Sequence, residues 1–202
     1  MLAHAELARL AGLAYRGPWS GRVDLDCKYD LLPRDGEVVL AMPGTNPRDA
    51  LDWIRDLDAS PWPFPKVGLC HSGFGAGGTA LAERALVALK GETRLVTVIG
   101  HSLGGAMAVV VAARLIGAGY HTRIVTFGAP RVAFCLNLAL WLLLRTADLT
   151  EYRRAGDPVP HLPMRPFYRH LTRGVALGAA LPDLIANHAI GLYTGDLTAL
   201  GR

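Results

Sequence analysis

Hydrophobic and polar positions along the chain change period several times, and the changes divide it into elements. Leu7, Leu10 and Ala14 recur at helical spacing, so the chain opens on an amphipathic helix. From Arg22 to Leu31 the pattern alternates strictly. Val23, Leu25, Cys27, Tyr29 and Leu31 face one way and Arg22, Asp24, Asp26, Lys28 and Asp30 the other, as in a strand with one wet face. Pro33-Arg34-Asp35-Gly36 reads as a turn, and Val38 to Met42 as a strand buried on both faces. Asn46 and Pro47 are cap and first residue of a helix reaching Leu57. Pro61, Pro63 and Pro65 then predict a stiff loop.

Further on, the pattern predicts helices at Thr79 to Leu89, Leu103 to Leu115 and within Ala133 to Leu144. Strands are expected at Arg94 to Ile99, Arg123 to Phe127 and Leu149 to Arg154, with a last one at Tyr168 to Thr172. Strands alternating with helices imply an α/β protein whose mostly parallel sheet is covered on both sides. Nothing resembles a repeat or a dividing linker, so residues 1–202 are expected to form one domain.

Composition agrees with a well-buried globular chain: 51% of the 202 residues are hydrophobic and 19% charged. The net charge of +4 is mild, and part of it is concentrated in Arg153, Arg154, Arg165, Arg169 and Arg173. Two readings of that stretch stay open, a solvated face and a patch attracting anionic lipid or acid product. Nucleic acid is not an expected partner, because no reader motif interleaves these arginines with aromatics. Cys27, Cys70 and Cys135 show no metal-ligand spacing and are expected as free thiols. The first 15 residues carry Glu6 and Arg9 and lack a secretion signal's apolar stretch. The default is therefore cytoplasmic, with secretion left open. Val132 to Leu144 is interrupted by Asn137 and is too short to span a membrane. A buried helix is expected there, with transient contact against a lipid surface as the alternative.

One motif carries chemistry. Gly100-His101-Ser102-Leu103-Gly104 is G-x-S-x-G, with Gly105 following. With four serines and 23 glycines in the chain, such flanking is a rare coincidence. It also stands between an expected strand and an expected helix. There a cramped turn lifts a serine hydroxyl above the sheet and the helix start favours developing negative charge. Such a serine needs a base, and the base an acid, in the chain order Ser, Asp or Glu, His. Asp157 follows an expected strand and suits the acid better than Asp148 or Asp183. His188, on a late loop, suits the base better than His161 in its proline-rich loop or His170 within an expected strand. Oxyanion donors are expected from the backbone of Leu103 and of Thr45, which follows an early central strand.

These pieces together resemble the class 3 lipases. PGTNPRDALDWIRDL, HSGF, IGHSLGGAMA, TFGAPRV, YRRAGDPVPHLP and NHAIGLY match that family's segments in order across roughly residues 37 to 193. The resemblance implies an α/β-hydrolase fold, ester hydrolysis and no metal or other cofactor. It places Ser102, Asp157 and His188 as the triad and Thr45 and Leu103 at the oxyanion hole. It also makes Pro47 to Leu57 a lid, whose Trp53, Ile54 and Leu57 meet lipid substrate; a fixed helix is the alternative. The family's Phe-Arg-Gly is Met42-Pro43-Gly44 here, and Tyr193 stands farther from the histidine than usual. Lipid esters are the expected substrate, with a lidless esterase or a phospholipase A1 as alternatives and a non-catalytic binding protein as a distant one. Oligomeric state is not legible. Gly73 to Gly78 also satisfies G-x-G-x-x-G, but only VGLC precedes it and Glu92 falls after the expected helix, before the next strand, which is the wrong context for a dinucleotide site.

Overall fold

The computed structural model describes residues 1–23, 27–45, 60–144 and 147–202. Along them run helices α1 (His4–Leu13), α2 (Ser72–Ala88), α3 (Leu103–Gly117), α4 (Leu138–Leu144), α5 (Leu184–Asn187) and α6 (Ile190–Ala199). The strands are β1 (Gly21–Arg22), β2 (Lys28–Arg34), β3 (Glu37–Met42), β4 (Pro61–Phe64), β5 (Gly68–His71), β6 (Leu95–His101), β7 (Thr122–Phe127), β8 (Ala133–Phe134), β9 (Asp148–Arg154), β10 (Tyr168–Arg169) and β11 (Val175–Leu177).

Seven strands form one sheet in the order β1-β2-β3-β6-β7-β9-β11. From β3 to β11 neighbours run parallel, while β1 and β2 are antiparallel additions. Both faces are covered. Val38, Leu40 and Met42 of β3 point into a core shared with α2, α3 and α4. Val39 and Ala41 point into a second core with α1 and α6. The continuous apolar run in β3 is thus two alternating sets, each committed to its own layer, as a doubly covered strand requires. Among the described residues no helix is long and apolar enough to cross a membrane.

Several expected elements take another form. The alternating segment is a hairpin, not one strand: Gly21 pairs with Tyr29 and Arg22 with Lys28, while Asp24, Leu25 and Asp26 lie outside the described residues. The turn after it narrows to Asp35-Gly36, with Pro33 inside β2. Pro61 and Pro63 belong to β4, not to a loop. This strand is the edge of a four-stranded antiparallel sheet, β10-β8-β5-β4. Prolines at alternate positions direct their missing donors to one side, which at an edge costs no ladder bond. The strand expected at Tyr168 to Thr172 shrinks to β10 in this second sheet, and β11 ends the main one.

Helix α2 begins at Ser72, seven residues before the expected start, and absorbs the G-x-G-x-x-G segment. Each glycine costs a helix interior about 1 kcal/mol relative to alanine, which is why the pattern concealed it. Close packing compensates. A Cβ on Gly78 would lie 2.6 Å from Val110 Cβ, and one on Gly77 2.9 Å from Met107 Cε, so these glycines let α2 approach α3. The expected helix Pro47 to Leu57, with its cap Asn46, lies outside the described residues.

Candidate active site

Ser102 sits between β6 and α3 at φ 57° and ψ −128°, a left-handed conformation rare for a residue with a side chain. The flanking glycines explain how the chain accepts it. A Cβ on Gly100 would lie 2.2 Å from the Gly104 carbonyl oxygen, and one on Gly104 2.2 Å from that of Met42. Only glycine fits at either position, because the obstacles are backbone atoms. Leu103 is the first residue of α3, and no carbonyl one turn earlier in the helix can accept from its N–H.

The loop after β3 reaches the serine from above. A Cβ on Gly44 would stand 2.8 Å from Ser102 Cβ, so the Met42-Pro43-Gly44 version of the motif retains glycine where contact demands it. Thr45 follows, half-buried, and its Oγ1 has no hydrogen-bond partner among the described residues. Trp53, Ile54 and Leu57 lie outside the described residues.

His188 and Asp157 come together from separate elements. His188 Nδ1 donates to Asp157 Oδ2 at 2.8 Å, with both side chains buried. Asp157 Oδ2 also accepts from the Tyr193 hydroxyl at 2.6 Å, and Oδ1 from the Val159 N–H at 2.9 Å. Burial first, and the Asp157 charge second, hold the Tyr193 hydroxyl well above its ordinary pKa, so it remains a donor. Gly128 follows β7 at φ 59°, and a Cβ there would come within 2.9 Å of Asp157 Oδ2. His188 caps the short helix α5, where a loop was expected. Its Nε2 and the Ser102 Oγ are both buried and without a hydrogen-bond partner among the described residues.

Side chains that sequence reasoning did not select hold the pair in place. His101, next to Ser102, donates from Nε2 to the His188 carbonyl at 2.8 Å. Its Nδ1 accepts from the Tyr15 hydroxyl at 2.6 Å, and the Gly44 N–H donates to the Tyr15 oxygen. These partners specify a neutral His101. Burial, and then the nearby His188, hold its pKa well below the ordinary histidine value, in agreement with that tautomer. One chain of hydrogen bonds therefore joins the Gly44 loop, the residue before the serine and the base. Asn187 fixes the approach to His188, bonding Leu181 through both its amide groups and accepting from Arg154 Nη1 at 2.6 Å.

The rejected candidates have other employment. Asp183 caps α5 by accepting from the N–H groups of Ile185 and Ala186. Asp148, at the opposite end of β9, pairs with Arg123. His170, one residue past β10, bridges Glu151 and the Pro160 carbonyl. Of the thiols, Cys27 and Cys70 are buried and Cys135 half-buried, and none of the three is in a disulfide among the described residues.

Comparison with known proteins shows the family. The family model described as "Lipase (class 3)" matches residues 39–167. The chain belongs to the class 3 lipases. Within the family, a secreted mono- and diacylglycerol lipase from Fusarium solani is 34% identical over 144 residues, covering 66% of this chain and 42% of that protein. A phospholipase A1 from rice (Oryza sativa subsp. indica) is 29% identical over 156 residues, covering 62% and 35%. The chain thus spans less than half the length of these relatives. Among solved structures, the Lip2 lipase from Yarrowia lipolytica superposes with a TM-score of 0.68 at 22% identity, over 86% of this chain and 77% of that one. The fold is therefore that of the α/β-hydrolases, as the class 3 motifs implied.

Proposed function

We propose that the protein is a serine carboxylic ester hydrolase acting on lipid esters, with residues 1–202 as one catalytic domain. Ser102 Oγ attacks the ester carbonyl carbon while His188 Nε2 takes its proton, and Asp157 stabilises the resulting imidazolium. The N–H groups of Leu103 and Thr45 hold the oxyanion. Collapse expels the alcohol, which takes the proton from His188, and leaves an acyl group on Ser102. Water, activated by the same histidine, then releases the acid. No cofactor enters this scheme.

The observation that carries this reading is a strained serine at a glycine-walled turn beside a buried His–Asp pair whose second ring nitrogen lacks a partner among the described residues. A second reading, phospholipase A1, is favoured by the name of the rice relative. For a lid over the site, only the family resemblance speaks. The Fusarium relative is described as secreted, which gives no support to the cytoplasmic default.

Hydrolysis of triacylglycerol, diacylglycerol, phosphatidylcholine and soluble p-nitrophenyl esters by one preparation tests the proposal. Preferred turnover of glycerides is expected. Dominant release of the sn-1 acid from phosphatidylcholine would select the second reading, and turnover of soluble esters alone a lidless esterase. Inactivity on all four classes would contradict the proposal.

A further inference from the structure

Apart from the proposed triad, the segment from Arg165 to Arg173 closes a hollow of about 560 Å³. Four arginines line it: Arg153, Arg165, Arg169 and Arg173. Arg153 is engaged internally, donating to Glu151 and to the carbonyls of Thr172 and Arg173. Among the described residues no carboxylate forms an ion pair with Arg165, Arg169 or Arg173. The hollow therefore carries, among the described residues, three positive charges without an ion-pair partner.

A second hollow of about 160 Å³ shares Leu171 and Thr172 with the first and is otherwise lined by Trp141, Leu144, Ala147 and Leu149. It lies under α4, whose outer side is apolar. Leu138 is 62%, Leu142 50% and Trp141 46% exposed. The Cys135 N–H donates to the Phe167 carbonyl at 2.8 Å, so the turn before α4 is fastened to the arginine-bearing segment, where Phe167 is itself exposed. A large apolar face beside a cationic hollow is unusual on a protein surface bathed only by water.

We propose that this face docks on a lipid surface bearing anionic phospholipid headgroups. The arginines take the headgroup phosphates, while Trp141, Leu138, Leu142 and Phe167 enter the boundary between headgroups and acyl chains. Charge complementarity selects this occupant. A soluble phosphate would satisfy the arginines and leave the apolar side uncovered. A second copy packed face to face about a two-fold axis would bring two sets of arginines together. The surface shares no residue with Pro47 to Leu57, the segment expected as a lid, and it does not depend on the chemistry of Ser102.

The test is co-sedimentation of the intact chain with phosphatidylcholine vesicles, with and without phosphatidylglycerol, using Ser102→Ala so that no lipid is consumed. Binding should require phosphatidylglycerol and weaken with added salt. Arg165→Glu with Arg169→Glu should reduce it at least about 25-fold, from roughly fivefold for each arginine beside an anionic surface. Trp141→Ser with Leu142→Ser should also weaken it. In the chain retaining Ser102, the arginine variant should hydrolyse p-nitrophenyl butyrate unchanged, which shows an intact fold. Equal binding to vesicles without phosphatidylglycerol, or unaltered binding by the arginine variant, would overturn the proposal. So would absent vesicle binding together with self-association that Trp141→Ser abolishes, which would assign the face to a second copy.

Discussion

The proposed nucleophile and base are held by different means. Ser102 is fixed by backbone: Gly100, Gly104 and Gly44 are the sizes they are because carbonyl oxygens or the serine itself occupy the space a side chain would need. His188 is fixed by side chains from distant parts of the chain, Tyr15, His101 and Asp157, and by its neighbour Asn187, which ties the loop before the helix to Leu181 and Arg154. Damage to the first arrangement should therefore cost stability and activity together. Damage to the second should cost activity with far less effect on the fold.

The largest effect is expected on the base side. Asp157→Asn should preserve folding but favour the wrong tautomer of His188, lowering kcat on the order of 10⁴-fold, as in a comparable triad. Steady-state kinetics beside a melting curve measure this. A loss under tenfold, with Asp183→Asn more damaging, would mean the acid lies elsewhere.

Gly104→Ala comes next and should behave oppositely. Its Cβ would lie 2.2 Å from the Met42 carbonyl oxygen, so β3 and α3 must separate, at a cost of ~3 kcal/mol in denaturant unfolding. Activity should fall with it. A stable but inactive variant would show that the elbow is not the strained backbone described above.

Tyr193→Phe removes one of the hydrogen bonds to Asp157. We expect kcat to drop roughly tenfold with KM nearly constant, and stability to fall by no more than about 1 kcal/mol. A change confined to KM would sever Tyr193 from the acid.

The smallest effect concerns pH. His101 is held neutral in the fold, while in the unfolded chain it binds a proton near pH 6.5. Below that pH the unfolded state carries the extra proton, so stability contributed by neutral His101 is complete above about 6.5 and falls as pH drops. Between pH 6.5 and 5.5 the loss should be about 1 kcal/mol greater in the native chain than in His101→Gln. Parallel stability profiles would mean that His101 takes up a proton in the folded protein.

The same contrast explains what the sequence disclosed. Ser102 was legible because its constraints are local: an apolar strand, two glycines at fixed offsets and a small-residue helix, all within about twenty residues. Val38 to Met42, Arg123 to Phe127 and the long helix after the serine were legible for similar reasons, since their burial is written in their own composition. Asp157 and His188 were selected through chain order and family motifs, and the fold brings the two side chains into a hydrogen bond. Tyr15 and Asn187 were not, because nothing near either residue indicates a partner tens of residues away. The early part of α2 was concealed by glycines whose value lies in contacts with α3. Strand β4 was concealed by prolines that only an edge position excuses.

The most direct measurement is covalent labelling of the native chain with an organophosphonate ester, followed by peptide mapping. The account predicts one labelled residue, Ser102, modified far more slowly once Asp157 is replaced by Asn. Label on Ser20, Ser60 or Ser72, or undiminished ester hydrolysis by Ser102→Ala, would contradict it.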